Sequence, residues 1–223
     1  YDNTFNTSPG ADSTVYVLEV VEATGDVYLG GLFNSINGLA QARVARLNSS
    51  GVPNGAFGPV LGGASREIRG IVANTNTVLI AGAFNGIGAQ SRANIARLFA
   101  NGTPDPSFAS GASTDSTIKS ITVDPFNRVI IAGAFDFVNG FARSGIARLT
   151  ATGGMDSQFD PGLGFDGEVR SIAVTLSGRV LAGGVFTSVN GIDLQRIAQL
   201  NGDPGLVEVD FTSLTSLERD TNV

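Results

Sequence analysis

A period of 51 residues runs through the chain and constrains it more than any other feature. Phe33, Phe84, Phe135 and Phe186 keep that step, as do Gly31, Gly82, Gly133 and Gly184. Leu47, Leu98, Leu149 and Leu200 follow it, and so do Phe57, Phe108 and Phe159. A turn glycine recurs at Gly51, Gly102 and Gly153. Four copies in phase between Val27 and Leu200 demand one supersecondary unit used repeatedly, each burying its apolar face against the next.

The third copy shows what that unit is. Ile118–Val123 alternates apolar and polar residues, the period of a half-buried strand. Arg128–Phe135 is a continuous apolar run, as in a strand covered on both faces. A loop with the turn pair Asn139-Gly140 follows, then a third strand over Ser144–Leu149 and a short fourth over Met155–Phe159. No segment carries a helical period. The fold class is therefore all-β, with four 51-residue, four-stranded antiparallel blades of β-propeller type rather than the shorter rungs of a solenoid. The recurrent glycine is expected to admit the backbone of a neighbouring blade, and the following Phe to fill the space between blades.

These residues resemble the bacterial β-propeller repeats called delta-sixty repeats. The resemblance rests on Ala132-Gly133-Ala134-Phe135, Val138-Asn139-Gly140, Ile146-Ala147-Arg148-Leu149 and Asp156-Ser157-Gln158-Phe159, in that order. Gly183-Gly184-Val185-Phe186 and Val189-Asn190-Gly191 repeat it in the fourth copy. It covers nearly the whole chain, and it implies a propeller from a large secreted or surface-exposed bacterial protein, with no catalytic residues to carry over. The second copy departs with Ile87-Gly88-Ala89, and the fourth with Gln199 in place of Arg and a shifted strand at Val207–Phe211. Asp2–Phe5 matches the fourth-strand motif of an earlier copy. The repeats occupy residues 1–211, in blades of about 6–57, 58–108, 109–159 and 160–211, with 212–223 a polar linker or tail. An arc of a larger propeller is expected; the alternative is a closed four-bladed ring in which Asp2–Phe5 completes the last blade.

Composition narrows the chemistry. His and Cys are absent, which removes Ser-His-Asp and Cys-His nucleophile systems, Cys/His zinc sites and disulfides. Net charge is −6 with no basic stripe, so nucleic acid is not an expected partner. The longest strongly apolar run, Val129–Phe135, is too short to span a bilayer as a helix, and no direct membrane insertion is expected. Acid–base catalysis would need carboxylates converging on one cleft, and no acidic position recurs per blade. Asp160, Asp166 and Glu168 form the densest acidic patch and are weak calcium candidates. Gly162–Gly167 has the form GxGxxG but precedes a strand pattern rather than a helix.

Arg97 and Arg148 are each followed eight residues later by Asp105 and Asp156, which predicts paired contacts across adjacent strands. Arg46 is expected to face Asn54 in the same way, and the fourth copy, with Gln199 and Val207, to lack the pair. The rival is a ring of these arginines binding an anionic ligand. The chain is read as a non-enzymatic extracellular or cell-surface module without cofactor. Its second-to-third-strand loops, Asn34–Ala42, Asn85–Ala93, Asp136–Arg143 and Thr187–Leu194, would bind other domains of the same polypeptide, surface proteins or glycans. A passive spacer in a giant adhesin and a propeller-based carbohydrate-active enzyme are the alternatives.

Overall fold

The computed structural model describes residues 5, 9–59, 61–63, 66–108 and 113–202. The shifted strand at Val207–Phe211, the tail at 212–223 and most of Asp2–Phe5 lie outside them. Every regular element among the described residues is a β-strand.

Four antiparallel sheets follow one another along the chain, each with its strands in sequence order. The first is built from Val15–Val21, Asp26–Gly31 and Val44–Leu47, and the second from Glu67–Ala73, Thr77–Ala83 and Ile95–Phe99. The third uses Ile118–Val123, Val129–Gly133 and Ile146–Leu149, and the fourth Val169–Val174, Val180–Gly184 and Ile197–Leu200. The first strand of each sheet packs against the first strand of the next, so these are the inner strands of blades arranged around an axis. Between each pair of sheets lies one apolar layer. Leu79, Ala81 and Ile95 meet Ile121, Val129 and Ile131 in one; Ile130, Ala132 and Ile146 meet Val169, Val180 and Ala182 in the next.

The fourth strand of the blade shrinks to one isolated bridge: Leu47 to Pro53, Leu98 to Pro104 and Leu149 to Met155. The Asp-x-x-Phe segment read as strand is a turn. Asp156 Oδ1 accepts the Gln158 amide at 3.0 Å and the Asp156 carbonyl accepts the Phe159 amide at 3.2 Å. An Asp side chain that satisfies its own downstream backbone competes with strand pairing, and Phe159 drops from the turn into the core.

The recurrent glycine has a different reason from the one expected. A Cβ on Gly31, Gly82, Gly133 or Gly184 would strike the carbonyl oxygen of Thr14, Glu67, Thr117 or Glu168, respectively. The close approach is therefore inside each sheet, between middle and inner strands. At the same place the pairing register slips by one residue in all four sheets, between Val15 and Val17, Ile68 and Gly70, Ile118 and Ser120, and Val169 and Ser171. Each inner strand thus carries a β-bulge, and the glycine opposite gives it room. Contact between blades falls on other glycines: a Cβ on Gly70 would lie 2.6 Å from Ile121 Cγ2.

The two end sheets are covered unequally: on the outward face of the first, Leu29 and Ala45 are buried in a cluster with Phe33 and Ile36 that Phe5 and Ala11 pack against, and exposure is confined to the inner strand. Ile197 is 61% exposed, whereas Val44, Ile95 and Ile146, its equivalents in the other sheets, are fully buried. Leu18 on the opposite end face is also 61% exposed, while its equivalents Ile71 and Ile121 are buried. No closed ring is formed among the described residues.

Candidate functional site

The loops between second and third strands are the first place to look for binding. Three of them close on an Asn-Gly pair in which both residues have positive φ: Asn37 with Gly38, Asn139 with Gly140, and Asn190 with Gly191. That backbone makes a tight hairpin, with two-residue strands Ser35–Ile36 and Leu39–Ala40, Phe137–Val138 and Phe141–Ala142, and Ser188–Val189 and Ile192–Asp193. The second copy forms the equivalent hairpin, Gly86–Ile87 with Gln90–Ser91, around Gly88.

Two side chains pin each of these three hairpins. Asn139 Oδ1 accepts the Ser113 amide at 2.8 Å, and Asn37 and Asn190 do the same for Gly10 and Leu163. Asp115 Oδ1 accepts the amides of Asp136 and Phe137, each at 3.0 Å. Asp12 holds Asn34 and Ser35 in the first copy, and Asp166 holds Thr187 and Ser188 in the fourth. The hairpin tips carry apolar side chains toward solvent: Leu39, Phe137, Phe141 and Ile192.

The calcium candidates do not form a cation cage. Asp166 is committed to Thr187 and Ser188, and the hydroxyl of Thr187 together with those amides holds its carboxyl far below the ordinary carboxylate range. Asp160 Oδ1 accepts the Gly162 amide in a local turn. Glu168 accepts from Arg170 Nε at 3.2 Å. Asp166 and Glu168 border one cleft of about 210 Å³, and Asp160 is not part of it. Among the described residues no group of three such ligands could hold a metal ion.

The arginines of the third strands are structural. Arg97 Nε donates to Asp105 Oδ2 at 2.8 Å and Arg148 Nε to Asp156 Oδ2 at 2.7 Å, the expected pairs. Arg46 does not use Asn54 as its partner. It donates to Asp26 Oδ2 at 2.8 Å, on the adjacent middle strand, while Asn54 Oδ1 accepts the Ala56 amide. The second arm of Arg46 and of Arg97 reaches the next blade: Arg46 Nη1 donates to Ala100 O at 2.8 Å, and Arg97 Nη1 to Ala151 O at 2.6 Å. Arg97 and Arg148 also lie over the rings of Phe108 and Phe159. Buried pairing and carbonyl contacts consume these guanidinium groups, which leaves no ring of them open to an anionic ligand.

A further position per blade carries no mark in the 51-residue phase. The bulged residues Tyr16, Arg69, Lys119 and Arg170 come one from each inner strand. Arg69, Lys119 and Arg170, with Glu168, line one cavity of about 370 Å³.

Three segments of the chain, residues 22–57, 74–108 and 127–159, match a family described as a domain of unknown function (DUF5122) beta-propeller. Each match runs from the end of an inner strand to the Asp-x-x-Phe turn or its Asn54 counterpart, so it marks three copies of the unit seen in the fold. No curated protein matches the chain. Fold and match together define a β-propeller repeat protein.

Proposed function

We propose that the chain is a non-catalytic interaction module of a larger bacterial repeat protein of the delta-sixty type, displayed outside the cell, which binds through its second-to-third-strand hairpins. The observation that carries this reading is the pair Phe137 and Phe141, 50% and 55% exposed on a hairpin fixed by Asp115 and Asn139. Apolar side chains held in water by a rigid turn have no role in the core, and such patches are the usual seat of recognition. The exposed Leu18 and Ile197, whose equivalents in the other sheets are buried, fit blades continuing into an assembly larger than four. The partners of this reading are other domains of the same polypeptide, surface proteins or glycans.

The test compares the chain with a Phe137→Ser/Phe141→Ser variant for binding to the purified remaining domains of its own polypeptide and to immobilised surface polysaccharides. Saturable binding that the double variant loses, at an unchanged thermal midpoint, is the expected result. Equal binding by both proteins sinks the hairpin reading, and recovery of the protein only from the cytosol of its source cell sinks the location.

A further inference from the structure

A bulge inserts one residue into a strand and re-aims its side chain. Here the inserted residue is Tyr16, Arg69, Lys119 or Arg170, and the last three face one cavity. Propeller geometry explains the convergence, since one position per blade on the inner strands becomes a set of groups around a common space.

The charges in that set are unevenly matched. In the second and fourth blades a Glu stands two residues before the cation, and the two pair. Arg69 Nε and Nη2 each lie 3.0 Å from a Glu67 carboxylate oxygen, and Arg170 Nε is 3.2 Å from Glu168 Oε1. Arg69 is also stacked over the Tyr16 ring, 3.7 Å from its centroid. In the third blade the residue two before the cation is Thr117. Lys119, the single lysine of the chain, therefore lacks that partner, and its ammonium makes no hydrogen bond or ion pair with any described residue. Three cations against two carboxylates leave one positive charge in a protein whose net charge is −6.

We propose that this cavity binds a singly charged oxyanion, a carboxylate or sulfate monoester group, with Lys119 as its direct partner and Arg69 and Arg170 as flanking donors. Glu67 and Glu168 hold the two guanidinium groups in place and limit the site to one net charge, which favours a monoanion over a phosphate dianion. The site stands apart from the hairpin tips and does not depend on their function.

The experiment titrates the ¹⁵N-labelled 223-residue chain with sodium acetate, sodium D-glucuronate and glucose at low ionic strength, following the backbone amides of residues 119, 120 and 170. Acetate and glucuronate are expected to shift these amides saturably, glucose to leave them in place, and added salt to weaken the effect. Equal response to both acids locates recognition in the oxyanion alone; response to glucuronate only locates it in a saccharide-borne acid. Lys119→Met should weaken binding about tenfold or more, a charge-assisted contact being lost, at an unchanged thermal midpoint, and Lys119→Arg should retain it. The proposal is overturned if neither acid moves the amides, if glucose moves them equally, or if Lys119→Met binds like the parent chain.

Discussion

Arg148 donates from Nε to Oδ2 of Asp156 at 2.7 Å, and no part of the arginine is exposed to solvent. A cation so placed is held by its pair, by the Phe159 ring 5.1 Å from its Cζ, and by the apolar strand around it. Removing one partner strands the other charge away from water, a loss of about 3–5 kcal/mol. Arg148→Ala and Asp156→Ala should each cost that much in denaturant unfolding. The double variant should cost less than the sum, with a coupling of at least about 1 kcal/mol. At Arg46 the same cycle should show coupling to Asp26 and none to Asn54. Additive losses at Arg148 and Asp156 would refute the pairing.

Two carboxyls of this network make stability depend on pH. Burial pushes the Asp105 carboxyl up, but hydrogen bonds from the Ser107 hydroxyl and amide and from Arg97 outweigh it and hold the group below its ordinary value. In Asp26 burial is likewise overcome by Arg46 and Thr24. A carboxyl whose folded-state pKa is depressed binds protons more readily in the unfolded chain, so its contribution is complete above the unfolded value of about 4. The contribution fades as pH falls from there through the folded value. The unfolding free energy should decline with acid in that window, and Asp105→Asn should flatten the decline. An unchanged slope in the variant would count against Arg97 and Ser107 as the cause.

The glycine column gives a sharper contrast. A Cβ on Gly133 would meet the Thr117 carbonyl, part of a backbone that cannot move without breaking the bulge. Gly140 has φ of 81° but nothing within 4 Å of its Cβ position. Gly140→Ala should therefore cost only the left-handed backbone, about 1–2 kcal/mol. Gly133→Ala has no left-handed backbone to strain and meets instead a collision of a kind that typically costs about 1–3 kcal/mol, so it should also shift the amides of Lys119 and Ser120. If Gly133→Ala leaves those signals in place, the glycine does not serve the bulge.

Much of this was legible because a repeat states its own rules. The phase of Phe33, Phe84, Phe135 and Phe186 announced the blades, and Arg97 and Arg148 announced their acids through a fixed spacing. What stayed hidden was out of phase. Tyr16 to Arg69 is 53 residues, Arg69 to Lys119 is 50, and Lys119 to Arg170 is 51, because the turn between inner and middle strands changes length. A fixed 51-residue step passes over that column. Arg46 escapes the same spacing for a related reason: its acid is Asp26, across the sheet, where spacing along the outer turn cannot find it. The bulge itself leaves no mark in composition, since the glycine that permits it is equally compatible with close packing between blades.

Ile146 and Ile197 occupy the same place in consecutive blades, each first in its third strand and each turned toward where the next blade stands. Ile146 meets the fourth sheet and is fully buried, whereas Ile197 is 61% exposed. Burial rather than residue type should set the cost of truncation. Ile146→Ala removes buried methyl groups and leaves a cavity, an expected loss of about 2–5 kcal/mol. Ile197→Ala in the 223-residue chain removes contacts that are mostly with water, so the loss should stay within about 0.5 kcal/mol. The comparison becomes more telling in the longer polypeptide. If a further blade of the same repeat stacks on this face, as the covered equivalents at Val44, Ile95 and Ile146 suggest, the cost of Ile197→Ala should rise there toward that of Ile146→Ala. A variant that stays neutral in the full-length protein would show that the fourth sheet ends the stack.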